Sequence, residues 1–136
     1  MRDFAILWPP VALAALTFGV WVLLYARRIP FLRGADLQVM AVRDGRPATP
    51  AFVGAPSDNL QNLFEMPVLF YVVCLALAVT GSTTPALLTA AWAYVALRAL
   101  HSLIHCTYNR VIHRFLAYAL STLVLAGLWI GLALKL

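Results

Sequence analysis

Four stretches of about 20 apolar residues divide this chain, at roughly 4–26, 60–80, 85–104 and 115–134, and no other feature constrains the fold as strongly. About 20 apolar residues in helical form cross a hydrocarbon core of roughly 30 Å, and only segments that satisfy their own backbone hydrogen bonds persist there. The chain has 136 residues, so four spans leave little for anything else. The expectation is an all-α fold: one domain over 1–136, an integral membrane four-helix bundle with up-down topology. Charged residues make up 11% of the sequence, against about 25% in an ordinary soluble domain. The first stretch is expected to be a retained span. Its leading charge is only Arg2 beside Asp3, and Arg27-Arg28 stands where a leader would carry small residues for cleavage.

The connections set the direction of the spans. "GSTTP", from Gly81 to Pro85, is a tight uncharged turn, with Pro85 suited to the first turn of a helix. Spans two and three therefore form an antiparallel hairpin. The connection over 27–59 carries five arginines with several prolines and glycines. It reads as an irregular cytoplasmic loop, with a short helical piece near 35–42. Arg110 and Arg114 lie in the last connection and the start of span four, and the 81–85 turn has no charge. By the positive-inside rule, both basic connections face the cytoplasm and both termini lie on the other side. Trp8, Trp21 and Tyr25 fit an aromatic belt. The arginines sit at the ends of apolar runs, so the net charge of +5 reads as topology and not as a nucleic-acid-binding surface. Cys74 and Cys106 form no CxxC pair and read as free buried thiols.

Polar groups collect at one depth. Asn62 and Glu65 are three residues apart in span two. Arg98, His101 and His105 follow at i, i+3, i+7 in span three. Arg110, Arg114 and Tyr118 follow at i, i+4, i+8 at the start of span four. Each set shares a helix face. At 1.5 Å per residue, Glu65 and Arg98 lie at similar depth in antiparallel neighbours, and an ion pair between them is expected, since a lone charge there is costly. Arg27 and Arg28 reach the same level from span one. Together these groups predict a cationic pocket, although interhelical polar contacts also serve simply to hold bundles together. His105 and His113 are expected near the loop and solvated. The HxxxH spacing of His101 and His105 has no obvious completing ligand, so no metal site is expected. GxSxG, GxGxxG, P-loop and HExxH motifs are absent from the sequence.

With N-x-x-E-x-P in span two (Asn62, Glu65, Pro67) and R-x-x-H in span three (Arg98, His101), the chain resembles the MAPEG family, membrane-associated proteins of eicosanoid and glutathione metabolism, and its small bacterial members most. The resemblance covers the whole chain, most specifically 59–118. It implies a homotrimer in a bacterial inner membrane, with glutathione bound between subunits near the cytosolic face. By this resemblance Asn62, Glu65, Arg98, His101, Arg110 and Tyr118 contact glutathione or its polar network. Arg27 or Arg28 is supplied by a neighbouring subunit, and Arg114 activates the thiol. Three positions depart from the pattern. Asp58 stands where transferases carry an arginine, His105 replaces a tyrosine, and Phe115 replaces a serine.

Two main functions follow, and whether the chain is an enzyme stays open between them. One is a glutathione-dependent transferase or peroxidase acting on lipophilic electrophiles. The other is a non-catalytic protein that binds a lipid or protein partner in the same cationic pocket, a reading favoured by Asp58. A proton or ion pathway through Glu65 and the histidines is a third.

Overall fold

A computed structural model describes residues 4–34 and 50–136, together with the backbone pairing of 42–43 with 46–47. A 3-10 turn, Phe4–Leu7, leads into α1, Trp8–Gly34, whose first turn holds Pro9 and Pro10. Then come α2, Ala51–Leu63, and α3, Met66–Thr80, which together make the second span. The third and fourth spans are α4, Pro85–Cys106, and α5, Val111–Ala133. All four are long and apolar enough to cross a membrane. Between α1 and α2, β1 (Val42–Arg43) pairs antiparallel with β2 (Arg46–Pro47). Apart from Val42, the helical piece expected near 35–42 lies outside the described residues.

The helices are longer than the apolar runs. α1 continues through Arg27 and Arg28 to Gly34, with Arg33 in its last turn, where a cation is favoured by the helix dipole. α2 begins at Ala51, inside the expected 27–59 loop. α4 runs to Cys106, and α5 starts at Val111. Arginine is a good helix former, so loss of hydropathy marks the membrane edge and not the helix end.

The 81–85 turn has the expected chemistry. Gly81 closes α3 with φ +66°, and its N–H reaches the Leu77 carbonyl. This left-handed cap is one that glycine adopts without penalty. Thr84 caps α4 by accepting the Leu87 N–H on its side-chain oxygen at 3.3 Å.

The second span is broken. α2 stops at Leu63, Glu65 has φ −92° and ψ −102°, and α3 restarts with Pro67 in its first turn. Proline lacks the N–H that would bond to the Leu63 carbonyl, and its ring crowds that carbonyl. Phe64 N–H turns back to Gln61 O at 2.9 Å instead. The break exposes main-chain carbonyls inside the bundle.

α5 packs most extensively on α4, and α1 packs on α2 and α4. One half of the bundle has an apolar core, including Ile6, Leu13, Phe70, Leu77, Leu87 and Leu128. There Phe70 stacks on Tyr94 with ring centroids 4.3 Å apart. Toward the basic connections the buried groups become polar: Asn59, Arg98, His101, Ser102 and His105. The outward surface is apolar, with Phe18, Val79 and Leu123 exposed, as a lipid-facing surface requires. Trp8, Trp21 and Tyr25 are on that surface, and Trp21 packs on Tyr25 at 4.9 Å.

Candidate functional site

The polar end of the bundle forms around the α4–α5 connection. Asn109 has φ +49°, a left-handed turn position that asparagine tolerates better than most residues. Its N–H bonds to Ile104 O at 2.8 Å, and its side-chain oxygen receives Arg114 Nη1 at 2.7 Å. One turn into α5, the Arg114 carbonyl pairs with His101 Nδ1 at 3.0 Å. This bond ties the start of α5 to α4, and a carbonyl can only accept, so Nδ1 carries the hydrogen. The first turn of α5 holds no acidic residue and its N-cap, Arg110, makes no side-chain cap bond. The free N–H groups and the helix dipole there favour an anion.

A cavity of about 250 Å³ opens beside this junction, lined by Asn62, His101, Val111, Arg114, Phe115 and Tyr118. Four residues predicted from three different spans therefore meet on one surface. His101 contacts the Tyr118 ring at 5.9 Å and the His105 ring at 5.6 Å. Arg98 lies behind the lining, with its guanidinium carbon 5.5 Å from the Tyr118 ring centre.

Other expectations are corrected. Arg98 does not bond Glu65. Arg98 is 0% exposed, its Nη2 donates to the Asn62 carbonyl at 3.0 Å, and its Nε and Nη1 have no hydrogen-bond partner. Glu65 is exposed in the helix break. The break explains the exchange, because it turns Glu65 outward and offers a main-chain acceptor in place of the carboxylate. His105 is buried, 3% exposed, and its Nδ1 is unpartnered. α4 runs through it to Cys106, and the His105 ring packs edge-on against His101. His113 is exposed and pairs with Tyr108 at 3.1 Å.

Arg110 is exposed and does not line the cavity. Arg27 sits elsewhere. Its Nη1 donates to Cys106 O at 3.0 Å and Phe52 O at 3.2 Å, and its guanidinium stacks 4.1 Å from the Phe52 ring centre. Arg28 is exposed. Cys74 and Cys106 are free and buried, as expected. Among the described residues, no three or more His, Cys, Asp or Glu side chains gather as a metal site would need.

Asn59 was not among the predicted residues, and it is a buried link between α2 and α4. It is 0% exposed, accepts the Ser102 hydroxyl at 3.3 Å and donates to Cys106 Sγ at 3.6 Å. Its signal was its position three residues before Asn62, on the same helix face.

The helices define an integral membrane four-helix bundle whose buried polar groups gather toward one end. The chain belongs to the MAPEG family, whose family model matches residues 6–134. This family includes glutathione transferases and peroxidases as well as other members. No curated protein and no solved structure matches the chain.

Proposed function

We propose that this protein is a homotrimeric glutathione-dependent transferase or peroxidase acting on lipophilic electrophiles, with its site at the α4–α5 junction. The observation that carries the reading is the convergence of Asn62, His101, Arg114 and Tyr118 on one cavity. At about 250 Å³, the cavity lies below the roughly 300–1,000 Å³ typical of small-molecule sites, and it is open to one side. One chain supplies a partial site, and a neighbouring copy completes it. Arg27 is held within its own chain, so exposed Arg28 is the residue offered to the neighbour.

The ligand should be anionic. The N-terminus of α5, Arg114 and Arg98, whose only hydrogen bond is to a main-chain carbonyl, all favour negative charge. Asn62 supplies a neutral amide for the peptide. Glu65 and Arg110 are exposed and lie outside the cavity lining, and in this reading they are assigned to the ligand's amino group and to a carboxylate outside that lining. In conjugation, Arg114 stabilises the glutathione thiolate, a carbon–sulfur bond forms and the electrophile's leaving group departs. In the peroxidase reaction, two glutathiones become a disulfide as a lipid hydroperoxide is reduced to its alcohol and water. The positive-inside rule, applied to the basic connections, supports a site on the cytoplasmic side of a bacterial inner membrane, with both termini opposite.

Asp58 favours the second reading, a non-catalytic protein that holds an anionic lipid or a protein partner in this cavity. It is exposed on α2 one turn before Asn62, where its charge opposes a glutathione carboxylate. Calorimetric titration of purified protein with glutathione, a conjugation assay with a halogenated nitroarene, and native mass spectrometry decide between them. Binding, turnover and a trimer support the enzyme. A trimer without binding or turnover transfers the site to the second reading.

A further inference from the structure

A second cavity, of about 370 Å³, runs between α1 and α4, on a different side of α4 from the Arg114 site. Leu16, Gly19, Val20, Leu23 and Arg27 line it from α1, with the spacing i, i+3, i+4, i+7, i+11 of a single helix stripe. Ala99, Ser102, Leu103, Cys106 and Thr107 face them from α4. Gly19 and Ala99 leave the groove its width. A Cβ added at Gly19 would meet nothing within 4 Å.

The groove has two unlike ends. From Leu16 to Leu23 it is hydrocarbon. At Arg27 it ends in a guanidinium fixed by the Cys106 and Phe52 carbonyls and by the Phe52 ring. Among the described residues no carboxylate bonds it, so the charge is held in place by neutral partners. An arginine fork has five N–H donors and suits a phosphate well. Eleven residues of α1 separate Leu16 from Arg27, roughly 16 Å at 1.5 Å per residue. That is about half of a bilayer core of roughly 30 Å. The groove therefore extends from the membrane edge to near the midplane, the reach of one acyl chain in one leaflet.

We infer that this groove is a binding site for an anionic phospholipid of the leaflet on the side of the arginine-rich connections, with its phosphate on Arg27 and one acyl chain along Leu16–Leu23. The site is independent of what occupies the cavity at Arg114. Its chemistry is selective for headgroup charge. A zwitterionic lipid presents a phosphate already paired with its own cation, and so gains less from Arg27.

The test is native mass spectrometry of the full chain in mixed micelles, titrated with phosphatidylglycerol or phosphatidylcholine of matched chains. Wild type should retain phosphatidylglycerol at least fivefold more than phosphatidylcholine. Arg27→Gln should abolish the preference. Because Arg27 also bonds Cys106 and Phe52 carbonyls, Gly19→Leu provides the second arm. It fills open space, leaves Arg27 untouched, and should lower phosphatidylglycerol retention at least fivefold in a protein with unchanged helicity. Equal retention of the two lipids by wild type, or undiminished phosphatidylglycerol retention by folded Gly19→Leu, overturns the assignment. If Gly19→Leu instead changes the number of chains in the particle and leaves lipid retention intact, the groove is an interface between copies and the lipid assignment fails.

Discussion

The buried Arg98 guanidinium is held by the main-chain carbonyl of Asn62, at 3.0 Å, and not by the carboxylate of Glu65, three residues further along the second span. This carbonyl is available because the helix breaks before Pro67. A carbonyl partner brings no opposite charge, two of the arginine's nitrogens make no hydrogen bond, and exposed Glu65 acts on it only electrostatically, without a hydrogen bond. The arrangement strains stability and favours binding of an anion nearby.

Stability should respond accordingly. Glu65→Gln, in an exposed position, is expected to change unfolding free energy by no more than about 0.5 kcal/mol. Arg98→Met leaves the Asn62 carbonyl without its partner, a loss of about 1–3 kcal/mol. It also removes a buried charge that no carboxylate hydrogen-bonds, which costs several kcal/mol. The net expectation is a gain of about 1–3 kcal/mol, read by denaturation with sodium dodecyl sulfate in mixed micelles. A Glu65→Gln protein several kcal/mol less stable than wild type would restore the ion pair.

The number of spans, the hairpin at Gly81 and the meeting of Asn62, His101, Arg114 and Tyr118 were legible because they rest on periodicity and depth. Three features were not. Helix ends were misplaced because hydropathy reports the membrane boundary, and Arg27, Arg28 and Arg33 continue a helix beyond it. The break at Glu65 was hidden because Pro67 was read as part of a family pattern and not as a missing donor. Asn59 shares a helix face with Asn62, but that spacing does not reveal its partners, Ser102 and Cys106 on α4, which only the packing of the helices brings to it.

Asn59 and Ser102 give a prediction of their own. Asn59 is fully enclosed and joins α2 to α4 through Ser102 and Cys106. Asn59→Ala should cost about 1–3 kcal/mol, since it strands the Ser102 hydroxyl in a buried site. Ser102→Ala in the same background should cost little more, because the stranded group is then gone. Strictly additive losses in a double-mutant cycle would show that the two side chains are not coupled.

Two glycines of α5 separate helix propensity from packing. A methyl on Gly127 meets nothing within 4 Å, whereas one on Gly131 would come 2.5 Å from Leu87 Cδ2. Gly127→Ala should therefore stabilise by up to about 1 kcal/mol, the propensity difference between the two residues. Gly131→Ala gains the same propensity but must turn the Leu87 side chain aside, at a cost of about 1 kcal/mol or more, and should be neutral or destabilising. Equal stabilisation by both variants would mean that α4 and α5 are not in close contact at Leu87.

The final prediction concerns the chemistry of Arg114. Its guanidinium is anchored by Asn109 and lines the cavity, while its own carbonyl is bound to His101. An arginine at this membrane edge also serves topology, so the test must separate charge from shape. Arg114→Lys keeps the charge but loses the planar fork. If the protein conjugates glutathione, this variant should remain a trimer, with turnover down at least tenfold, which corresponds to about 1.4 kcal/mol of transition-state stabilisation. Asn109→Gly removes the anchoring oxygen while accommodating the φ of +49°, so the turn is preserved. It should reduce turnover less than Arg114→Lys does, because Arg114 is still present but less well held. Full activity in Arg114→Lys would remove Arg114 from the chemistry. Full activity in Asn109→Gly alongside an impaired Arg114→Lys would leave Arg114 in its role and show that Asn109 does not position it.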